Sequence, residues 1–563
     1  MVLRIGNASG FYGDRATAWR EMLDGGELDV LTGDYLAELT MLILGRDRLK
    51  DPATGYAKTF LRQLESVLGT ALERGVRLVT NAGGLNPAGL AEAIRALATR
   101  LGLAPAVAHV EGDDLTGRAG ELGLGAPLTA NAYLGAFGIA ECLAAGADIV
   151  VTGRVTDASL VVGPGIARFG WTRDDLDALA GATVAGHVLE CGAQATGGNF
   201  AFFTELPDGA RRPGFPLAEL HADGSAVITK HPGTGGAVTV ETVTAQLLYE
   251  IGAPAYAGPD VVADFASIAL SPDGPDRVRI GGVRGLPPPP TLKVGVNALG
   301  GFRNAMTFVL CGLQIERKAE LVRAQLVEAL GPDGLEFALA RTDRPDAADE
   351  FSASALLTVH IKDRDARRAG RTFSQAAVEL ALASYPGLAL TAPPGDATPF
   401  GVFTSHFVPQ DAAFQLAVLP DGTQRAIDAP VTTNLVKCPK NQDTPVSGFF
   451  GPERKRAPLG TLFGARSGDK GGDANIGVWA RTDRAYEWLR TELTGERLKE
   501  LLPETAPLPV ERYELANLRA VNFVIHGILG EGVAASTRFD PQGKALGEWL
   551  RSRVVDLPAE LLP

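Results

Sequence analysis

Over the first two hundred residues, short β-branched runs alternate with longer amphipathic stretches, a pattern that restricts the chain to parallel strands joined by crossover helices. The strand candidates cover residues 2–6, 28–31, 76–80, 106–110, 148–152 and 187–190. Helical patterns fill 56–73, 89–100 and 130–145. Asn86 and Pro87 supply an N-cap and a first-turn proline for the second of these. Thr172, with Asp175 three residues later, resembles a capping box opening another helix. The expected fold class is α/β, with an open, mostly parallel, Rossmann-like sheet over residues 1–204.

In such sheets ligands bind where the carboxyl ends of the strands open into loops. The residues there are polar and rich in glycine: Asn7, Ser9 and Gly10; Asp34; Asn81, Gly83 and Gly84; Asp113; Arg154, Thr156 and Asp157; and Gly197, Gly198 and Asn199. Each loop alone reads as an ordinary turn, but six at one sheet edge read as one cleft. Arg154 can hold a carboxylate or phosphate through a bidentate pair, or can stiffen its loop by pairing with Asp157. Asp34 and Asp113 can act as acid, base or magnesium ligand, yet oxygen-ligand sites have no fixed spacing, and no metal site is read. Gly6, Gly10 and Gly13 invite a dinucleotide reading, but they do not form G-x-G-x-x-G.

From residue 205 to 451, proline-rich loops and short alternating strands indicate a middle α+β region. It carries Lys230-His231-Pro232-Gly233 just before an expected strand over 237–243. The turn can form a backbone anion nest, and His231 can serve as general acid or base or simply sit hydrogen-bonded in the turn. A helix-like run is expected from Ala305. Residues 451–458 read as a linker, and 459–563 as a ferredoxin-like α+β domain with helices over an antiparallel sheet. Its loop over 465–477 is the densest polar and glycine cluster in the chain. Arg466 and Lys470 offer charge and Gly471-Gly472 offer amides, with Ser467, Asp469, Asp473 and Asn475 beside them.

Net charge narrows the partners. At −13, with no basic run longer than Arg454-Lys455-Arg456, the chain is unsuited to nucleic acid or to an anionic membrane surface. The opening MVLRIGNASG lacks the pattern of a signal peptide, and no uninterrupted apolar run reaches about 18 residues. Cysteines at 142, 191, 311 and 438 have neither disulfide-scaffold density nor C-x-x-C spacing, which fits a cytoplasmic location. Many of the 68 glycines gather just after strands, beside the few cations where an anionic substrate would dock.

Several blocks resemble the acyclic terpene utilisation protein A family: R-I-G-N-A-S-G-F-Y-G-D, N-A-G-G-L-N-P, T-G-R-V-T-D-A-S-L, E-C-G-A-Q-A-T-G-G-N-F, K-H-P-G-T-G-G and L-Y-E-I-G. The final block, A-R-S-G-D-K-G-G-D-A-N-I-G, resembles the ferredoxin-fold domain that accompanies this family. The resemblance implies handling of branched or terpenoid-derived acyl groups, with coenzyme A entering as part of the substrate. It gives Arg154, Lys230, Arg466 and Lys470 the role of anion anchors.

The expected function is therefore a cytosolic catabolic enzyme of hydratase or lyase type on an acyl-CoA thioester or small organic acid. Asp113, Asp157 or His231 would transfer the proton, and amides of the Gly83-Gly84 or Gly197-Gly198 turns would stabilise an enolate. Two other readings stand beside it: an NAD(P)-dependent terpenoid alcohol or aldehyde dehydrogenase, and a non-catalytic scaffold for an acyl-CoA carboxylase or hydratase assembly. Self-association, and contact with acyl-CoA pathway enzymes, are expected by analogy with large catabolic enzymes.

Overall fold

The computed structural model describes residues 2–434 and 450–563, so residues 435–449 of the 205–451 region, Cys438 among them, lie outside the described residues. The chain forms two compact units, Met1–Asn297 with Phe403–Val533 and Gln542–Pro563, and Ala298–Val402 with Ala534–Pro541.

Five parallel strands form the heart of the first unit, in the spatial order Val2–Asn7, Val30–Gly33, Arg77–Thr80, Ile149–Thr152 and Val107–Glu111. Successive strand side chains point to opposite faces, so Val30, Val79, Ala108 and Val150 enter one hydrophobic core while Leu31, Leu78, Val107, Ile149 and Val151 enter another. Helices Phe137–Ala144, Ser159–Phe169 and Leu176–Leu189 cover the first face, and Ala18–Gly25, Lys58–Glu65, Leu68–Glu73 and Pro87–Arg100 cover the second. Both faces are dry, which is why the strands read as continuous apolar runs. Asn86 caps the Pro87 helix by accepting from the Gly89 N–H.

The sheet departs from a mostly parallel one. Antiparallel strands Pro216–His221, Ala226–Lys230, Val278–Gly281 and Ala269–Pro272 extend it on one side and Leu416–Val418 and Gln424–Ala426 on the other, giving eleven strands in a mixed sheet. Six short strands of the middle region thus return to the edges of the same sheet, while Ala255–Ala257, Val262–Asp264 and Arg284–Leu286 form a separate three-stranded sheet. Residues 187–190 are not a strand: they end the helix Leu176–Leu189, which is buried at every position from Ala178 onward. A helix with no wet face loses its 3.6-residue signature, and its apolar run imitates a buried strand. Residues 237–243 are likewise not a strand, because reciprocal Thr239–Thr242 hydrogen bonds open the helix Val240–Leu247. Thr172 and Asp175 bond each other through the Thr172 N–H and hydroxyl just ahead of the Leu176 helix.

The carboxyl-terminal part of this unit carries a four-stranded antiparallel sheet, ordered Phe463–Lys470, Asp473–Ala480, Ala520–Ile525 and Val510–Leu515. Helices Asp483–Glu492, Gly495–Leu501 and Leu546–Ser552 supply the rest of its core. Two expectations change here. The 451–458 stretch contains a strand, Arg454–Pro458, paired with Val554–Pro558. The glycine-rich 465–477 segment is not an open loop but a β-hairpin, turning at Gly471 with φ +69°.

That hairpin grips the chain after helix Val240–Leu247. Asn475 Nδ2 donates to Leu248 O (2.8 Å) and its Oδ1 accepts from Glu250 N–H (2.9 Å), while Asn522 Nδ2 donates to Gly252 O (2.8 Å). A Cβ at Gly477 would lie 2.6 Å from Leu248 Cβ, so the glycine is there for close approach.

In the second unit, residues 302–311 belong to the long strand Thr291–Cys311, and no helix starts at Ala305. They pair with Ser354–Asp363, which pairs with Leu335–Ala340, and helices Ile315–Leu330 and Phe373–Glu379 pack in its core. Among the described residues no helix is long and apolar enough to cross a membrane.

Replacing Asn475 with Ala strands the Leu248 carbonyl and the Glu250 N–H in a dry interface, and is expected to cost about 2–4 kcal/mol. Thermal unfolding of Asn475→Ala checks this; an unchanged melting temperature would mean the clamp contributes nothing.

Candidate active site

The strand-end loops and the hairpin meet around a cavity of about 880 Å³. From the loop after Val30–Gly33 comes Asp34, whose Oδ1 accepts from Asn81 Nδ2 (2.6 Å) and from Leu36 N–H (3.1 Å). Asn81, at the end of the neighbouring strand, also accepts from Tyr35 N–H, so it fixes the loop from behind rather than lining the cavity. From the loop after Ile149–Thr152 come Arg154, Thr156 and Asp157. Asp113 accepts from the Arg154 N–H (2.8 Å) and from Asn131 Nδ2 (2.8 Å), and a side chain at Gly153 would run into it. The Arg154 guanidinium donates to Leu36 O (2.6 Å) and Asp157 Oδ1 (2.9 Å) and lies 4.2 Å from the centroid of the Tyr133 ring. Lys293 Nζ approaches the same ring at 4.5 Å and Glu38 at 3.5 Å, and the Tyr133 hydroxyl donates to Glu38.

The opposite wall begins where helix Leu176–Leu189 ends. His187 Nδ1 lies 3.0 Å from Glu190 Oε1, and Glu190 Oε2 has no hydrogen-bond partner among the described residues. Cys191, Tyr249, Glu250 and Tyr256 continue the wall, and the carboxyl-terminal part adds Asp469, Lys470 and Lys544. Lys470 Nζ donates to Glu250 O (2.7 Å).

Crowding carboxyls together in a dry wall separates their proton affinities. Burial, then the neighbouring Asp157, pushes Asp34 well up; burial, then Asp157 and Glu250, does the same to Glu190. Asp157 and Glu250 are also raised by burial. Burial with Glu250 and Glu38 nearby pushes Asp469 up to about 8. Glu38 goes the other way: Lys293 and Arg154 outweigh its burial and hold it at about 2. Burial and Lys470 lower His187 to about 4, so its imidazole is neutral. Burial and Glu190 push the Cys191 thiol up, leaving it protonated and unreactive. Among the described residues no three His, Cys, Asp or Glu side chains converge to hold a metal ion.

Of the residues singled out in the sequence, the cavity is lined by Gly10, Asp34, Arg154, Thr156, Asp157, Gly198, Asn199, Asp469 and Lys470. The others stand outside it. Asn7 gives its amide to the carbonyls of Leu189 and Glu190 and so ties down the end of their helix. The Ser9 hydroxyl closes its own turn on Phe11 O. Gly83 and Gly84 pack against Pro87 and Leu44, and Gly197 against Leu206. Asp113, pushed up to about 7 by burial, sits behind Arg154 and positions it.

Lys230 pairs with Asp276 (3.1 Å) and caps its own turn on Thr234 O, while His231 Nε2 meets Met22 O at 2.9 Å beside Gly25 and Gly26. Both belong to the end of an antiparallel strand, not to the parallel strands whose loops build the site, so neither reaches it. Ser467 bonds Lys544 O and the Gly547 N–H, holding the last helix. Arg466 lies over the Tyr249 ring and donates to Asn199 O, supporting the wall from outside. Gly10 packs onto the Cys191 backbone, which accounts for a glycine there without a pyrophosphate. Sequence reasoning missed Glu38, Tyr133, Glu190, Tyr249, Glu250, Lys293 and Lys544. Glu190, Tyr249 and Glu250 stood in the E-C-G-A-Q and L-Y-E-I-G blocks, where the charge inside an apolar run was a usable signal.

The family model for acyclic terpene utilisation family protein AtuA matches residues 3–418, and that for the AtuA ferredoxin-like domain matches 457–556. The chain belongs to the AtuA family. Its ferredoxin-like domain is the hairpin-bearing α+β part described above, and the cavity draws on both matched regions: Asp34, Glu38, Arg154, Asp157, Glu190 and Lys293 from the AtuA region, Asp469, Lys470 and Lys544 from the ferredoxin-like domain. No curated protein and no solved structure matches this AtuA chain.

Because the folded Asp469 carboxyl titrates near 8 and an unfolded one near 3.8, its contribution to stability is full below about pH 4 and is lost as pH rises through 8. Asp469→Asn keeps the shape and the neutrality, so it should melt higher than the natural chain at pH 8 and alike at pH 4. A variant that melts lower at pH 8 would show Asp469 ionised in the fold.

Proposed function

We propose that this chain is an enzyme that moves protons beside the carbonyl of a small anionic organic substrate, in hydratase or lyase chemistry on an organic acid or its coenzyme A thioester. The observation that carries this reading is Asp469: a carboxyl that holds its proton at neutral pH, in the same cavity as Arg154, Lys293 and Lys470. Groups whose environments push their pKa values apart divide naturally into acid and base. Asp469 is the acid. Asp157 is the base: burial raises its proton affinity above that of a free carboxylate, and the Arg154 contact at 2.9 Å limits that rise.

Hydration of a conjugated alkene would then proceed in balanced steps. Asp157 takes a proton from water as the water oxygen bonds the β-carbon, and the π electrons move towards the carbonyl oxygen, where the cations hold the developing charge. The Asp469 O–H gives its proton to the α-carbon as the electrons return, and exchange with solvent resets both carboxyls. Dehydration is the reverse. Tyr133, Tyr256 and Leu292 supply apolar surface for the carbon skeleton.

The test is turnover of 2-enoic acids and their coenzyme A thioesters by the purified chain, followed by loss of the conjugated-alkene absorbance. Asp469→Asn and Asp157→Asn are each expected to lose about a hundredfold or more in turnover, and Asp469→Asn to lose the alkaline limb of the pH profile. Full turnover in both variants would overturn the assignment.

A further inference from the structure

Arg154, Lys293 and Lys470 line one cavity, and two of the three have a carboxylate partner among the described residues. Arg154 and Lys293 share one aromatic ring, at 4.2 Å and 4.5 Å from the Tyr133 centroid. Arg154 opposes the charge on Lys293, and Lys293 opposes the charge on Lys470, so the three stand within electrostatic reach of one another. Arg154 has Asp157 and Lys293 has Glu38, whereas among the described residues Lys470 forms no salt bridge: its ammonium donates to the Glu250 backbone carbonyl, with the Glu250, Glu38 and Glu190 carboxyls acting on it from further off. Gathering like charges between protein walls is unfavourable until an anion arrives among them.

We propose that Arg154, Lys293 and Lys470 form a carboxylate seat, and that the cavity's ligand is a free organic acid rather than a coenzyme A thioester. The inference deepens the proton-transfer reading and rests on it for the position of the reacting carbons. A thioester carbonyl is neutral, and the fixed charges of coenzyme A lie on phosphates many bonds from the acyl group. The three cations line the same cavity as Asp157, Glu190 and Asp469, so the anion they hold is attached next to the reacting carbons. A carboxylate there satisfies the cations permanently and conjugates with the bond being altered. The seat also draws its members from both matched regions, Arg154 and Lys293 from one and Lys470 from the other.

Calorimetric titration of the full chain with 3-methylbut-2-enoate, its primary amide and its coenzyme A thioester tests the seat without requiring turnover. The acid is expected to bind about tenfold or more tighter than either derivative. Lys293→Met and Lys470→Met should each weaken the acid by about tenfold or more and leave the amide unchanged, as the loss of a charge-assisted hydrogen bond predicts. Lys293→Arg should restore acid binding, which excludes a mere folding defect. Asp469→Asn should bind the acid normally even where turnover is lost, which separates the seat from the proton-transfer assignment. Equal binding of acid and amide, tighter binding of the thioester, or no acid binding at millimolar concentration overturns the seat.

Discussion

Asn475 and Lys470 of the β-hairpin, with Asn522 of the adjacent strand Ala520–Ile525, join the ferredoxin-like domain to residues 248–252 by hydrogen bonds to main-chain atoms. Main-chain partners do not change rotamer, so this clamp sets the position of Asp469 and Lys470 against the strand-end loops as firmly as the sheet sets Asp34 and Arg154. Glycine makes it possible, because Gly468 and Gly477 have no side chain to hold Tyr249 and Leu248 away. The glycine-rich hairpin is thus a packing surface first, and the charged residues it carries are placed by that packing.

The parallel sheet contributes in a different way. Its order puts the Asp34 and Arg154 loops in the cavity wall and leaves the Asn81 and Asp113 loops to buttress them. Three of the residues that face the cavity have a polar residue behind them: Asn81 behind Asp34, Asp113 on the Arg154 main chain, and His187 beside Glu190. Such support fixes a charged group's direction without adding to the charge the ligand meets.

Much of this was legible in the sequence because local patterns encode it. Five of the six proposed strands exist, and the loops after three of them carry residues that line the cavity, Gly10, Asp34 and Arg154 among them. Asp469 and Lys470 were legible as part of a dense polar cluster, though its hairpin was not, because glycine carries no strand periodicity. What stayed hidden was either long-range or disguised. Lys293 and Glu38 are single charges in ordinary surroundings, and only the fold brings them to Tyr133. Glu190 was masked by a helix buried all round, whose apolar sequence imitates a strand. His231 and Lys230 looked chemical because histidine and lysine beside a glycine turn usually invite that reading, yet Lys230 is held by Asp276 and Thr234 O and His231 meets Met22 O.

The cavity joins Asp34 to Lys544, residues separated by almost the whole chain. Synthesis proceeds at roughly 5–20 residues per second, so the two emerge on the order of a minute apart. Before the hairpin emerges, the carboxyls of the first wall remain open to water, which levels their proton affinities. A molecule cut short just before Gln542 would keep most of the cavity wall, Asp469 and Lys470 included, and lose Gln542 and Lys544 from it.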